Sequence, residues 1–330
     1  MEMKIIITGG AGFIGHNVTR ILEQQGHDCY VIDTATDYGF IPKKELTYLK
    51  THRKNRFNSR VIHTDICSVN HIDSIFSAVR PELVIHLASF PRQNVVSQNP
   101  ILGSEVMTTG LINLLEAGTR YNIKKFVYIS SSMVYGDFKD ELFDGIGEYA
   151  NCNPIGQYGI MKYMGEKLVA DYTRRGCFAH TIIRPSAVYG PWDIEDRVVS
   201  KFMLAAMRDE VLKVKGANEV LDFTYVEDTA MGIAQAAVSD NANNKIYNIT
   251  RSSEAEYTLL DAAKLAVSIA GKGSIQVAER DLAFPTRGRL NITNARTDFG
   301  YNPTVNVEEG FARYHEWFIT SPYWISNLSK

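Results

Sequence analysis

The sequence predicts an α/β protein: a doubly wound parallel sheet followed by a smaller C-terminal lobe. Three observations carry this. Six short runs, Lys4–Thr8, Asp28–Asp33, Arg60–Asp65, Glu82–Ala88, Lys125–Ser130 and Ala179–Arg184, are rich in β-branched residues and nearly all apolar, as strands covered on both faces must be. Amphipathic helical patterns alternate with them, among them Phe13–Gln25, Ile101–Tyr121 and Gln157–Arg175. After about residue 186 the rhythm changes to a helix (Val198–Asp209), a strand (Lys245–Thr250) and two more helices (Thr258–Ala270, Val307–Ile319) on longer connections. The expected division is a first domain over 1–186, to which a segment near 218–250 returns, and a second lobe over 187–330.

The bulk properties bound the function. A chain of 330 residues buries a large core, and 45% hydrophobic with 22% charged residues is ordinary globular composition. A formal net charge of −2 gives no electrostatic reason to bind nucleic acid or an anionic membrane. The apolar run at Ile5–Ile7 is far too short for a signal peptide, and no stretch approaches a membrane span, so a cytoplasmic location is expected. Cys29, Cys67, Cys152 and Cys177 are scattered with no C-x-x-C pair, which argues for free thiols in a reducing compartment and against a metal site. Segment Tyr38–Asn58 is polar and basic, and reads as a solvated insertion between the second and third strands.

The first strand runs into Thr8-Gly9-Gly10-Ala11-Gly12-Phe13-Ile14-Gly15 and then a helix. Glycines at such a turn let the backbone approach a pyrophosphate seated over the helix N-terminus, the mark of a Rossmann-type dinucleotide site. Asp33, at the end of the second strand with Thr34 after it, suits the two hydroxyls of an adenosine ribose and repels a 2′-phosphate, so NAD is favoured over NADP. Asp65 and Ile66 are placed to meet the adenine, and Leu87, Ala88 and Ser89 to pass beneath the pyrophosphate.

Tyr158 and Lys162 stand four residues apart, on one helical face. A tyrosine working as acid and base near neutrality must lose about 3 pH units of basicity, some 4 kcal/mol. An ammonium at about 4–5 Å in an effective dielectric near 20 supplies much of that. Upstream, Ser130, Ser131 and Ser132 end a strand, where a hydroxyl can hold a substrate oxygen near Tyr158.

With these residues in place, the chain resembles the extended short-chain dehydrogenase/reductase superfamily, in its NAD-dependent epimerase/dehydratase group. The resemblance is carried by T-G-G-A-G-F-I-G (8–15), H-L-A-S (86–89), S-S-x-x-V-Y-G (130–136), Y-x-x-x-K (158–162), R-P-S-A-V-Y-G-P (184–191), D-F-T-Y-V-E-D (222–228) and Phe299-Gly300-Tyr301-Asn302-Pro303. It implies that a sugar-nucleotide hydroxyl is oxidised by tightly held NAD and the ketone then re-reduced, rearranged or dehydrated. It implies Ser131, Tyr158 and Lys162 as catalytic residues, and Gly9, Gly12, Phe13, Ile14, Gly15, Asp33, Thr34, Asp65, Ile66, Leu87, Ala88, Ser89, Ser130, Tyr158, Lys162, Pro185 and Ser186 around the cofactor. Arg92, Ser131, Ser132, Trp192, Arg287 and Arg289 are the candidates for substrate.

Departures from the pattern narrow it. The 4,6-dehydratases carry Asp and Glu where this chain has Ser132 and Met133, so dehydration is disfavoured. UDP-sugar epimerases carry Asn and Arg where it has Ala187 and Leu221, and an Asn near the cofactor is Met107, so the base and sugar stay open. The expected activity is NAD-dependent sugar-nucleotide epimerisation. Net dehydrogenation or ketoreduction is the alternative, with 4,6-dehydration or a non-catalytic NAD(H)-binding protein behind it. Related proteins pair the helices equivalent to Ile101–Tyr121 and Gln157–Arg175, which implies a homodimer.

Overall fold

The computed structural model describes residues 2–328 except Tyr38, Phe40, Pro91, residues 139–144 and Glu254. Eleven strands follow along the described chain: β1 (Lys4–Thr8), β2 (Asp28–Ile32), β3 (Arg60–Ile62), β4 (Leu83–His86), β5 (Lys125–Ile129), β6 (Ala179–Pro185), β7 (Val188–Tyr189), β8 (Val211–Lys215), β9 (Thr224–Tyr225), β10 (Lys245–Ile249) and β11 (Ser274–Ala278). Seven form one sheet in the order β10-β6-β5-β4-β1-β2-β3, with every neighbouring pair parallel. From β1 the chain winds one way to β2 and β3, then crosses to β4 and winds the other way. The order reverses between β1 and β4, and the carboxyl ends of those strands frame the crevice where such sheets take their ligands.

Both sheet faces are covered. Ile5, Ile7 and Val127 pack under helices Gly15–Gln24 and Val226–Val238. On the other face Ile6, Val84 and Phe126 meet Phe76, Leu111 and Leu114. A separate core joins Leu212, Phe223, Phe311 and Trp324 in the C-terminal lobe, where β8 pairs with β11 and β7 with β9. The two aspartates of D-F-T-Y-V-E-D hold this part together: Asp222 accepts the Ser252 and Leu290 N–H groups, and Asp228 those of Thr304 and Val305.

The strands stop earlier than their apolar runs. β2 ends at Ile32 and β3 at Ile62, because Asp33 and Asp65 turn back to accept the N–H groups of Ala35 (2.8 Å) and Cys67 (2.8 Å). Such Asx turns end a ladder and free the carboxylate for the crevice. The single helix expected over Ile101–Tyr121 contains a π turn, Glu105–Thr109, between Pro100–Ser104 and Gly110–Arg120.

The solvated insertion is a correction. Residues Lys43–Lys54 form a helix that buries Glu45, Leu49 and Arg53. Arg53 donates through Nε (2.9 Å) and Nη2 (2.5 Å) to the Trp192 carbonyl, while Glu45 accepts the Glu195 N–H at 2.8 Å. Its basic count suggested solvent, but one face carries the side chains that hold another loop. The same helix reaches Ala35, whose carbonyl accepts from Lys50 Nζ.

Helix Leu259–Ala270 opens with a capping box in which Thr258 and Asp261 each accept the other's N–H at 3.1 Å. Thr258→Ala should cost about 1 kcal/mol and lower the thermal midpoint by ~2 °C, as calorimetry would show. An unchanged midpoint would contradict the cap's contribution.

Candidate active site

The glycine turn is built by close approach. A Cβ on Gly15 would lie 2.1 Å from the Gly9 carbonyl oxygen, so only glycine lets the helix begin there. The N-cap position is Ile14, which supplies no side-chain cap, and the first turn holds no acid. Its N–H groups and the positive helix end therefore have no side-chain anion of their own beside a crevice, the condition for anion binding. Asp33 Oδ2 accepts the Ala11 N–H at 3.1 Å, which locks this carboxylate onto the turn and still leaves lone pairs for hydroxyls. A dinucleotide fits this donor set.

Catalytic-type residues enter from the opposite wall. Helix Gln157–Arg174 lies so close to the Ser132–Tyr135 turn that a Cβ on Gly159 would meet the Met133 carbonyl oxygen at 2.8 Å. Its N-terminus is held by Gln93, which accepts the Tyr158 N–H at 3.1 Å. Ser131 caps the Ser132–Tyr135 turn, accepting the Met133 N–H at 3.2 Å. The Ser132 hydroxyl donates to Ser186 at 3.1 Å.

Lys162 is buried, donates to the Ile129 carbonyl at 2.8 Å and lies 5.8 Å from the Tyr158 ring centroid. Burial pushes its pKa down to about 7, opposed by the charge of Glu166. The Tyr158 pKa is raised by burial, while Arg197 and the Ser131 hydroxyl pull it down. Lys162 is not among the groups acting on it, contrary to the simple ammonium–phenol reading. The amine is held on Ile129 and carries only part of its charge near neutrality.

Beneath these residues sits a buried ion pair. Arg184 holds Glu166 through Nε (2.9 Å) and Nη2 (2.6 Å), and Ser130 donates to the same carboxylate at 2.6 Å. Glu166 stands four residues after Lys162, on the face that also carries Tyr158. That i, i+4 spacing from Lys162 is the one signal the sequence offers for it; its burial is seen only in the structure. Gln93 and Arg197, which also serve this site, left no comparable trace in the sequence.

One cavity of about 1390 Å³ gathers most of the expected residues. Gly9, Gly12, Phe13, Ile14, Gly15, Asp33, Thr34, Asp65, Ile66, Leu87, Ala88, Ser89, Ser130, Ser131, Ser132, Tyr158, Lys162, Pro185, Ser186, Arg92 and Arg287 all line it. Two substrate candidates do not. Trp192 stacks on His52 and meets Trp317 edge-on at 5.2 Å, consumed in packing between the 43–54 helix and the C-terminal helices. Arg289 donates to the Ser253 carbonyl and lines a separate small cavity with Asp222 and Tyr257. Leu221 belongs to the C-terminal core and also borders the main cavity, and Arg287 lines the same cavity near Glu219, its pKa lowered to about 10 by burial.

Glu166→Gln should leave Arg184 without its counter-charge and cost about 3–5 kcal/mol in a urea melt; a loss under 1 kcal/mol would contradict that reading. Lys162 gives a pH test. Its folded pKa, about 7, lies below the ordinary lysine value, so the unfolded chain binds the proton more tightly. The resulting destabilisation is complete below pH 7 and is relieved as pH rises toward the ordinary value. Lys162→Met should therefore stabilise the cofactor-free protein by about 2–4 kcal/mol at neutral pH. The gain should shrink steadily on alkalinisation, and a pH-independent difference in urea melts would refute the assignment.

Among the described residues no cluster of three His, Cys, Asp or Glu could hold a metal ion, and no helix is long and apolar enough to cross a membrane. The family model for the NAD dependent epimerase/dehydratase family matches residues 5–250. A putative UDP-glucose 4-epimerase from Methanocaldococcus jannaschii is 28% identical, over 95% of this chain and 97% of the relative. A dTDP-glucose 4,6-dehydratase from Salmonella typhimurium is 28% identical over 99% and 96%. Among solved structures, the UDP-glucose 4-epimerase of Thermotoga maritima with UDP-glucose superposes with a TM-score of 0.85 at 28% identity, covering 97% of this chain and 99% of that one. The match spans the glycine turn, the seven-stranded sheet and the Tyr158–Lys162 wall: the chain belongs to the NAD-dependent epimerase/dehydratase family and is an NAD-dependent enzyme.

Proposed function

We propose that this enzyme is a redox-neutral epimerase of nucleotide diphosphate sugars. The carrying observation is that Ser131, Tyr158 and Lys162 line one cavity wall, while Ser132 and Met133 put no carboxylic acid beside them. Epimerisation needs an acid–base pair and a hydride carrier; elimination of water needs a further acid and base. UDP-glucose 4-epimerases among the relatives support the reading.

Gly12 to Gly15 and the uncapped helix turn would hold the cofactor pyrophosphate, and Asp33 the adenosine ribose. Asp65, Ile66, Leu87, Ala88 and Ser89 would line the adenine and pyrophosphate, and Lys162, Pro185 and Ser186 the nicotinamide end. NAD supplies the hydride acceptor for oxidation and the donor for the return. Ser131 orients the reacting hydroxyl; Tyr158 removes its proton and later gives one back. Arg287, a planar fork facing the cavity, suits the diphosphate in the absence of the usual guanidinium at Leu221.

The same proposal divides the chain into a cofactor part, 1–186 with a returning stretch near 218–250, and a substrate lobe, 187–330. The pairing of β10 with β6 supports the return. It also includes a homodimer through the helices over 100–120 and 157–174, which expose Ile101, Leu102, Ile160 and Met164.

Tyr158→Phe should lower turnover of a nucleotide-sugar panel by at least ~10²-fold and leave NAD affinity nearly unchanged by fluorescence titration. An active Phe variant would sink the assignment. The wild type should interconvert epimers with no net NADH; stoichiometric NADH would instead mark a dehydrogenase.

A further inference from the structure

The loop after β7 brings an unusual set of charges to the catalytic wall. Gln93, which accepts the Tyr158 N–H, is preceded by Arg92, whose Nη1 donates to Asp196 at Oδ2 (2.5 Å) and at the carbonyl (3.0 Å). Arg197 follows directly, 3.8 Å from Asp193. Both arginines line the cavity that holds Tyr158 and Ser131, and the Nε atoms of both are buried without a hydrogen-bond partner. The charge of Arg197 also reaches the Tyr158 phenol.

The local charges do not cancel. Arg53, Arg92, Arg197 and Lys201 face Asp193 and Asp196, and Lys201 at 2.6 Å competes with Arg92 for the same Asp196. Glu195 faces Arg208 at 4.0 Å, and burial raises Glu45 to about 8, leaving it mostly neutral at pH 7. Together these groups carry a surplus of about two positive charges around the loop after β7.

We infer that Arg92 and Arg197 recognise a carboxylate on the sugar itself, so that the substrate class is a nucleotide diphosphate uronic acid. This rests on the sugar-nucleotide reading above. The reacting carbon must lie at Tyr158, and both arginines line the same cavity, with the charge of Arg197 acting on the phenol itself. The diphosphate has its own guanidinium in Arg287, beside Glu219 on the β11 side of the cleft. A neutral hydroxymethyl group would leave the positive surplus of these partly desolvated guanidinium groups unbalanced and their Nε atoms unbonded, whereas a carboxylate matches the planar fork in shape and charge.

The test compares matched pairs on the full-length enzyme with NAD: UDP-glucose with UDP-glucuronate, UDP-galactose with UDP-galacturonate, GDP-mannose with GDP-mannuronate. The acid member of at least one pair should have the higher kcat/KM. In Arg197→Gln and Arg92→Gln the acid-to-neutral ratio should fall by about 10- to 100-fold, the scale of a lost charge-assisted hydrogen bond. Arg197 is partly exposed, so its variant carries the result even where the Arg92 variant misfolds. Preference for the neutral members, or an unchanged ratio, overturns the inference. An equal loss on both members also does, because it places the arginines on the diphosphate. If no pair is turned over, the epimerase reading fails. Calorimetric affinities for the same pairs then decide: tighter binding of the acid member, lost in Arg197→Gln, upholds the inference, and equal affinities overturn it.

Discussion

The cavity wall that carries Tyr158 and Ser131 depends on the buried pair of Glu166 and Arg184. Helix Gln157–Arg174 crosses the end of β5 with almost no space to spare, and this pair fixes its rotation about its own axis. Glu166 is tied to β6 through Arg184 and to the end of β5 through Ser130, while Lys162 bonds Ile129 one residue earlier. Three residues of one helix face are thereby set against two adjacent strand ends. Removing both charges together could be nearly neutral for stability, since buried pairs seldom exceed their desolvation cost by much. Their value lies in register: the chain has one way to place Tyr158 opposite Ser131.

The fold was legible because its signals are local. Six apolar runs, alternating helices and a glycine turn after the first strand each reflect a constraint within about 30 residues. The seventh strand, Lys245–Ile249, was also visible as a run, although its pairing with β6 comes from topology. What the pattern missed was which basic residues face inward. Lys43 to Arg56 reads as a solvated stretch by composition, but one helical face carries Glu45, Leu49 and Arg53 into the protein. Hydrophobic periodicity cannot reveal a buried arginine whose partner is a backbone carbonyl 139 residues away.

The site shows the same division. Residues tied to the turn, the strand ends and the Y-x-x-x-K spacing converged on one cavity. Trp192 and Arg289 did not, because their motifs mark position in the chain and not direction. Trp192 has positive φ and turns its ring into the aromatic packing, so the residues that follow it, Asp193 and Arg197, take the cavity side. The electrostatics were harder still. A tyrosine–lysine pair predicts an activated phenol, yet burial acts on both groups at once, and in the free protein it weakens the cation that was to do the activating.

Helix Lys43–Lys54 couples two loops that line the cavity. Through Lys50 it grips the loop after Asp33, and through Arg53 and Glu45 it grips the loop that follows β7. One helix thus ties the loop beside Asp33 to the loop that carries Asp193 and Arg197. Changes in its length or packing will shift both grips together, so the two cavity-lining loops cannot be repositioned independently through this segment. Diversification of the loop after β7 must keep step with a helix whose Arg53 lies 139 residues before Trp192 in the sequence.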